Sequence, residues 1–199
     1  SQGELGDRLL VNSGRDEPLI MATNVGGMNV LTPAADALTQ HIIDLKIDCL
    51  IVDPFVSSHQ LSENDNTAID LVVKRWAQVC NDGNCSIELV HHVRKGNAQT
   101  EASVSDARGA SALVDAARHV RRLQRMTAKE AREADIPEDQ FWRYSREGDS
   151  KDNLAPPSVD DTWRQMVSVE LANGDSVGVS EPWQWPDAFT NLSLKDVER

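Results

Sequence analysis

Asp53 closes the apolar run Leu50-Ile51-Val52 and is followed by Pro54. A carboxylate at the carboxyl end of a buried strand can reach a magnesium ion held among nucleotide phosphates while the strand fixes its position, which is the Walker B arrangement. The plainer alternative is that Asp53 caps the strand and starts a turn with Pro54. His91 and His92 stand at the carboxyl end of a second expected strand, residues 86–90. Successive side chains of a strand point to opposite sides, so only one of the two can share a cleft with Asp53. One histidine as a neutral donor to a terminal phosphate is the functional reading, and a core histidine is its alternative. Arg94 and Lys95 follow at once, where cations could neutralise phosphate oxygens or simply lie exposed in a loop.

Charge is unevenly placed. Twenty Lys+Arg stand against 32 Asp+Glu, a net of -12, which argues against a surface that grips nucleic acid everywhere by counterion release. From Arg94 to Arg132, however, nine cations (Arg94, Lys95, Arg108, Arg118, Arg121, Arg122, Arg125, Lys129 and Arg132) face four acids, a local net of +5. A basic block in an acidic chain marks a local polyanion-facing surface, and the polar, small-residue loop 96–105 beside it suits a segment that orders on a nucleic-acid strand. A solvated arginine face or a subunit contact is the bland alternative.

These residues need elements to position them. Leu9-Leu10-Val11 and Leu19-Ile20-Met21 read as short strands bounded by Gly14 and by Gly26-Gly27. Thr32-Pro33 opens a helix over residues 33–45, with Leu38, Ile42 and Leu45 at helical spacing. Residues 47–52 suit a central parallel strand covered on both faces. Ile69, Val72, Val73, Trp76, Val79 and Cys80 make one helical stripe that Asn81-Asp82-Gly83-Asn84 stops. A strand over 86–90 follows, then a helix over 106–115, a strand within 118–126 and a helical patch over 128–134. Alternating helix and strand implies a mostly parallel sheet whose ligands bind at the carboxyl ends of its strands. Asp53 and His91-His92 both fall at such ends. Past Pro137 the composition shifts to Trp, Pro and short alternating runs. Residues 166–171 and 176–179 flank Asn173-Gly174 as a hairpin, and the Pro182-to-Pro186 segment is rigid and aromatic.

The 199 residues can bury one ordinary core plus an appended element. No run approaches the roughly 18 continuous apolar residues of a membrane span and no signal sequence is visible, so a soluble, cytoplasmic protein is expected. Three cysteines, Cys49, Cys80 and Cys85, fit a reducing compartment, and their spacing with His91 and His92 matches no structural zinc pattern. The opening at Ser1 suggests an excised fragment. Nowhere does G-x-x-x-x-G-K-[ST] occur, and no lysine directly follows a glycine, so these residues supply no phosphate cradle and the chain is not expected to hydrolyse ATP by itself.

Three blocks in order, Leu50-Ile51-Val52-Asp53-Pro54, Leu89-Val90-His91-His92-Val93-Arg94-Lys95 and Arg108-Gly109-Ala110-Ser111-Ala112-Leu113-Val114-Asp115-Ala116-Ala117-Arg118, resemble the RepA-like hexameric helicases among the RecA-fold P-loop ATPases. The resemblance covers about residues 9–126. It implies a partial RecA-like α/β core over 1–127, the carboxyl-terminal part lacking the phosphate loop, and an accessory region with a β-hairpin over 128–199. It implies that Asp53 binds magnesium, that His92 senses the terminal phosphate with Lys95 beside the nucleotide, and that Arg118 acts in a neighbouring subunit's site. Arg94, Lys95, Arg108, Arg121 and Arg122 become candidates for contact with nucleic acid. ATP and Mg2+ are the implied cofactors, and single-stranded DNA and ring assembly the implied partnerships, in replication or a mobile element. Two other functions stay open: a non-enzymatic DNA-binding or oligomerising module built on the basic block, and a metal hydrolase using Asp53 and the histidines, which their poor ligand geometry disfavours.

Overall fold

The computed structural model describes residues 6–15, 17–92, 110–153, 156 and 161–186. The chain forms two compact units, Ser1–Ala117 and Arg118–Arg199. The first begins with a hairpin of β1 (Ala22–Val25) and β2 (Met28–Leu31), antiparallel with Val25 opposite Met28. Gly26 and Gly27 make its turn with φ of +59° and +87°, a backbone that side-chain-bearing residues resist. The two glycines therefore join a hairpin rather than bound a run. Leu9, Leu10 and Val11 are exposed and outside any strand, and Leu19 to Met21 precede β1 instead of forming a strand of their own.

Helix α1 (Ala34–Leu45) follows Thr32, whose hydroxyl accepts from the Ala34 N–H at 3.3 Å. It buries Ala35 and Ile42 and ends where Lys46 turns left-handed. Strand β3 (Cys49–Val52) then pairs in parallel with β4 (Ser86–Leu89), Cys49 opposite Ser86 and Val52 opposite Leu89. Between them runs α2 (Asn66–Gly83), started by the Asp65 carboxylate, which accepts from the N–H groups of Thr67 and Ala68 and so stabilises the helix by about 1 kcal/mol. Its apolar stripe, Ile69, Val72, Val73, Trp76 and Val79, is the centre of the core with Met21, Ile42 and Phe55. Arg75 crosses from this helix to Asp36 of α1 at 2.7 Å. Helix α3 (Ala110–Ala116) sets Ala112 and Leu113 against the same core.

The second unit is a four-stranded antiparallel sheet in the order β5-β6-β7-β8: β5 (His119–Arg125), β6 (Tyr144–Asp152), β7 (Thr162–Glu170) and β8 (Ser176–Pro182). Helix α4 (Ala128–Glu133) lies between β5 and β6 in the chain. Met126, Ala131 and Tyr144 form a small buried cluster flanked by Trp163 and Trp183. The turn between β7 and β8 has Gly174 at φ +86° and the Asn173 side chain accepting from the Asp175 N–H.

Among the described residues the protein is thus mixed α/β, with one small parallel pair and two antiparallel sheets in place of a mostly parallel sheet. Among the described strands only the paired β3 and β4 enclose a helical crossover; β1-β2 and β7-β8 are joined by tight turns, which make antiparallel neighbours. Nor is β3 covered on both faces, since Leu50 and Val52 pack on the core while Cys49 and Ile51 are exposed. The strand within 118–126 belongs not to a core over 1–127 but to the second unit, where β5 hydrogen-bonds to β6.

Candidate functional site at the carboxyl ends of the parallel strands

Because β3 and β4 are parallel and in register, their carboxyl ends lie side by side, and the residues just past each end become neighbours. Asp53 follows Val52; His91 and His92 come two and three residues after Leu89. The Val90 N–H donates to the Val52 carbonyl at 2.9 Å, carrying the pairing up to Asp53. Asp53 Oδ1 lies 3.8 Å from His92 Nε2, and both side chains are mostly open to solvent. The two histidines diverge. His92 faces Asp53, whereas the His91 ring stands edge-on to Phe55 with centroids 6.3 Å apart.

The segment after Asp53 is tightly held. Pro54 leads into a 3-10 turn, Phe55–Ser58, and the Phe55 N–H donates to the Val90 carbonyl at 2.7 Å. Ser58 Oγ donates to the Phe55 carbonyl and accepts from the Trp76 indole N–H at 3.2 Å. The Ser58 carbonyl accepts from the Met21 N–H, and the Gln60 N–H donates to Ala22. The loop that starts at Asp53 is therefore fastened to β1, to α2 and to the end of β4.

His59, which motif-reading passed over, sits in this loop and is only 6% exposed. Its Nδ1 accepts from the Leu61 N–H at 3.3 Å, which leaves the ring proton on Nε2. Nε2 is buried and finds no acceptor among the described residues. Burial lowers the pKa of His59 below the ordinary histidine value, against the opposing pull of the Glu63 carboxylate. An apolar neighbour at Phe55 and a turn beginning at Pro54 were the only sequence signals for it.

As a metal site the donor set is specific in kind. Mg2+ takes hard oxygen donors, commonly one or two carboxylates completed by phosphates and water, and Asp53 supplies one exposed carboxylate of that type. The His92 imidazole suits a phosphate oxygen rather than magnesium. Among the described residues no group of three His, Cys, Asp or Glu could hold a metal by itself. The residues present fit the magnesium-facing half of a nucleotide site and not its phosphate cradle. The thiols lie apart from this end: Cys80 Sγ meets the Cys85 carbonyl at 2.7 Å, and burial, then Cys80 and Cys49, push the Cys85 thiol up.

Of the remaining candidates, Arg118, Arg121 and Arg122 belong to the second unit. Arg94, Lys95 and Arg108 fall outside the described residues. Arg118 is exposed just ahead of β5, where its carbonyl accepts from the Asn153 N–H. Along β5, burial alternates, so Arg121 and Arg125 share the exposed face with His119, while Arg122 is half-buried on the other. Arg121 Nη1 lies 3.0 Å from Glu147, which also faces Arg164 Nε at 3.5 Å.

Residues 3–98 match the protein family described as an AAA domain, 96 of the 199 residues. The match takes in β1 to β4, Asp53 and His92. Among the described residues no helix is long and apolar enough to cross a membrane.

Proposed function

We propose that these residues carry the strand-end half of a RecA-like P-loop ATPase of the RepA-like helicase type, one that couples ATP hydrolysis to single-stranded DNA, in replication or a mobile element. The observation that carries it is the meeting of Asp53 and His92 at adjacent ends of parallel strands, 3.8 Å apart and open to solvent, inside the stretch that matches an AAA domain. Asp53 orients a magnesium ion and His92 donates to the terminal phosphate. With ATP and Mg2+ bound, the metal would supply charge neutralisation of the phosphates. Arg118 acts in trans, stabilising developing charge in a neighbouring subunit of a ring. Lys95 lies beside the nucleotide, and Arg94, Lys95, Arg108, Arg121 and Arg122 contribute to DNA contact.

The phosphate loop must come from outside these 199 residues, because no G-x-x-x-x-G-K-[ST] lies within them. In a protein joining the two halves, Asp53→Ala lowers Mg2+-dependent turnover by at least about a hundredfold. Retained turnover rejects the assignment. Arg118→Ala removes turnover without weakening ATP binding, and mixed assemblies that present an intact arginine restore it.

The missing cradle also favours a second reading, a non-enzymatic DNA-binding or oligomerising module. It expects strand binding by this chain whose affinity falls steeply with salt and does not respond to nucleotide. Salt-insensitive binding sinks electrostatic contact by the basic block under either reading.

A further inference from the structure

We infer that His59 is a positioning residue for the Asp53 and His92 pair: its buried ring holds Phe55, and Phe55 fastens the carboxyl ends of both parallel strands. This rests on the reading of that pair as the working one.

Phe55 stands two residues after Asp53, and its N–H holds the carbonyl of Val90, two residues before His92. Phe55 is therefore linked to both members, to Asp53 through the chain and to His92 through Val90. The Phe55 ring has His59 against it, with centroids 5.0 Å apart and planes tilted by 57°, and His91 edge-on at 6.3 Å. Phe55 is 2% exposed and His59 is 6% exposed, so the contact is closed to water. On its other side His59 is tied to the chain by the Leu61 N–H at Nδ1. Protonating Nδ1 breaks that bond and places a charge where the ring is buried. The titratable neighbours are Glu63, which favours the charged ring, and His91, which opposes it. The bracket is thus firm only while His59 is neutral, a property that a purely space-filling residue lacks.

The test is amide hydrogen exchange on this chain, with rates corrected for the intrinsic effect of pH. The Phe55 N–H reports the bracket and the Ile69 N–H, inside α2, reports the unit as a whole. Moving from about pH 7.5 to about pH 5.5 lowers Phe55 protection about tenfold in the unaltered chain. His59→Phe keeps an aromatic ring without a titrating nitrogen and abolishes the difference. Should that variant not fold, His59→Gln removes titration and keeps an acceptor for the Leu61 N–H. A pH response of Phe55 that survives either folded variant overturns the proposal, and so does Phe55 protection no lower than that of Ile69 at either pH, since the bracket then opens only when the whole unit unfolds. Broadening of the His92 ring signals by Mn2+ is recorded on the same samples. Its absence in the unaltered chain rejects the metal-binding reading, while the exchange data alone decide the role of His59.

Discussion

Asp53 Oδ1 and His92 Nε2 stand 3.8 Å apart, beyond hydrogen-bond length, with side chains 62% and 76% exposed. Such a pair contributes little to stability, because solvent screens it. Its placement follows from the parallel register of β3 and β4, with Val52 opposite Leu89. The spacing leaves both polar atoms able to take other partners.

Asp53→Asn separates binding from folding. The substitution removes the charge and keeps the shape, and an exposed position of this kind changes stability by no more than about 0.5 kcal/mol. Mn2+ added as a magnesium stand-in broadens the His92 ring signals of the unaltered chain and leaves those of Asp53→Asn sharp. Equal broadening in both places the ion elsewhere.

Stability of the first unit depends on the protonation of His59. Its folded pKa is lowered by burial, so the unfolded chain binds a proton more readily than the folded one. The group imposes no penalty well above the unfolded value of about 6.5. As pH falls through that value a destabilisation appears, and it grows until the folded pKa is reached. Urea midpoints measured through this window fall in the unaltered chain, and His59→Phe flattens that part of the slope. An unchanged slope assigns the effect to other groups.

Much of the first unit was legible because its signals are local. The stripe from Ile69 to Val79 and the cap at Asp65 both announce α2. The end of β3 was readable from the apolar run that Asp53 closes, and that of β4 from the strand-like stretch before His91-His92. Strand β6 was not, since Tyr144 is the only large apolar residue in its nine and no alternation marks it. Its pairing depends instead on cross-strand partners, such as Arg121 with Glu147. His59 escaped notice for a similar reason: its burial is created by Phe55 and the loop fastening, neither visible as a spacing.

Gly83 ends α2 where it presses on α1. A Cβ placed there would stand 2.9 Å from Ile42 Cγ2, so a methyl group forces a shift in a buried side chain. Gly83→Ala gains up to about 1 kcal/mol of helix propensity and meets an overpacking cost of about 1–3 kcal/mol. Net destabilisation is expected by urea titration. Combining it with Ile42→Ala, which removes the clashing methyl, gives a loss about 1 kcal/mol smaller than the sum of the two. Strict additivity shows that the helices part freely at this point.

In the second unit Glu130 has two duties. Its Oε2 accepts from the Thr127 N–H at 2.7 Å while Thr127 Oγ1 accepts from the Glu130 N–H, a reciprocal cap that starts α4. Its other oxygen lies 3.4 Å from Arg146 on β6, whose guanidinium also meets Asp161 at 3.0 Å. Thr127→Ala removes one half of the cap and costs about 1 kcal/mol. Arg146→Met keeps the apolar stem and leaves two carboxylates without their common cation. Its cost, about 1–3 kcal/mol, stays below that of a fully buried pair because Asp161 is partly exposed. Glu130 orients toward both partners, so losing the cap frees it to swing from Arg146, and the double substitution costs less than the two single ones together. Thermal unfolding of the four chains measures that coupling, and additive losses mean that the cap and the ion pair hold Glu130 independently.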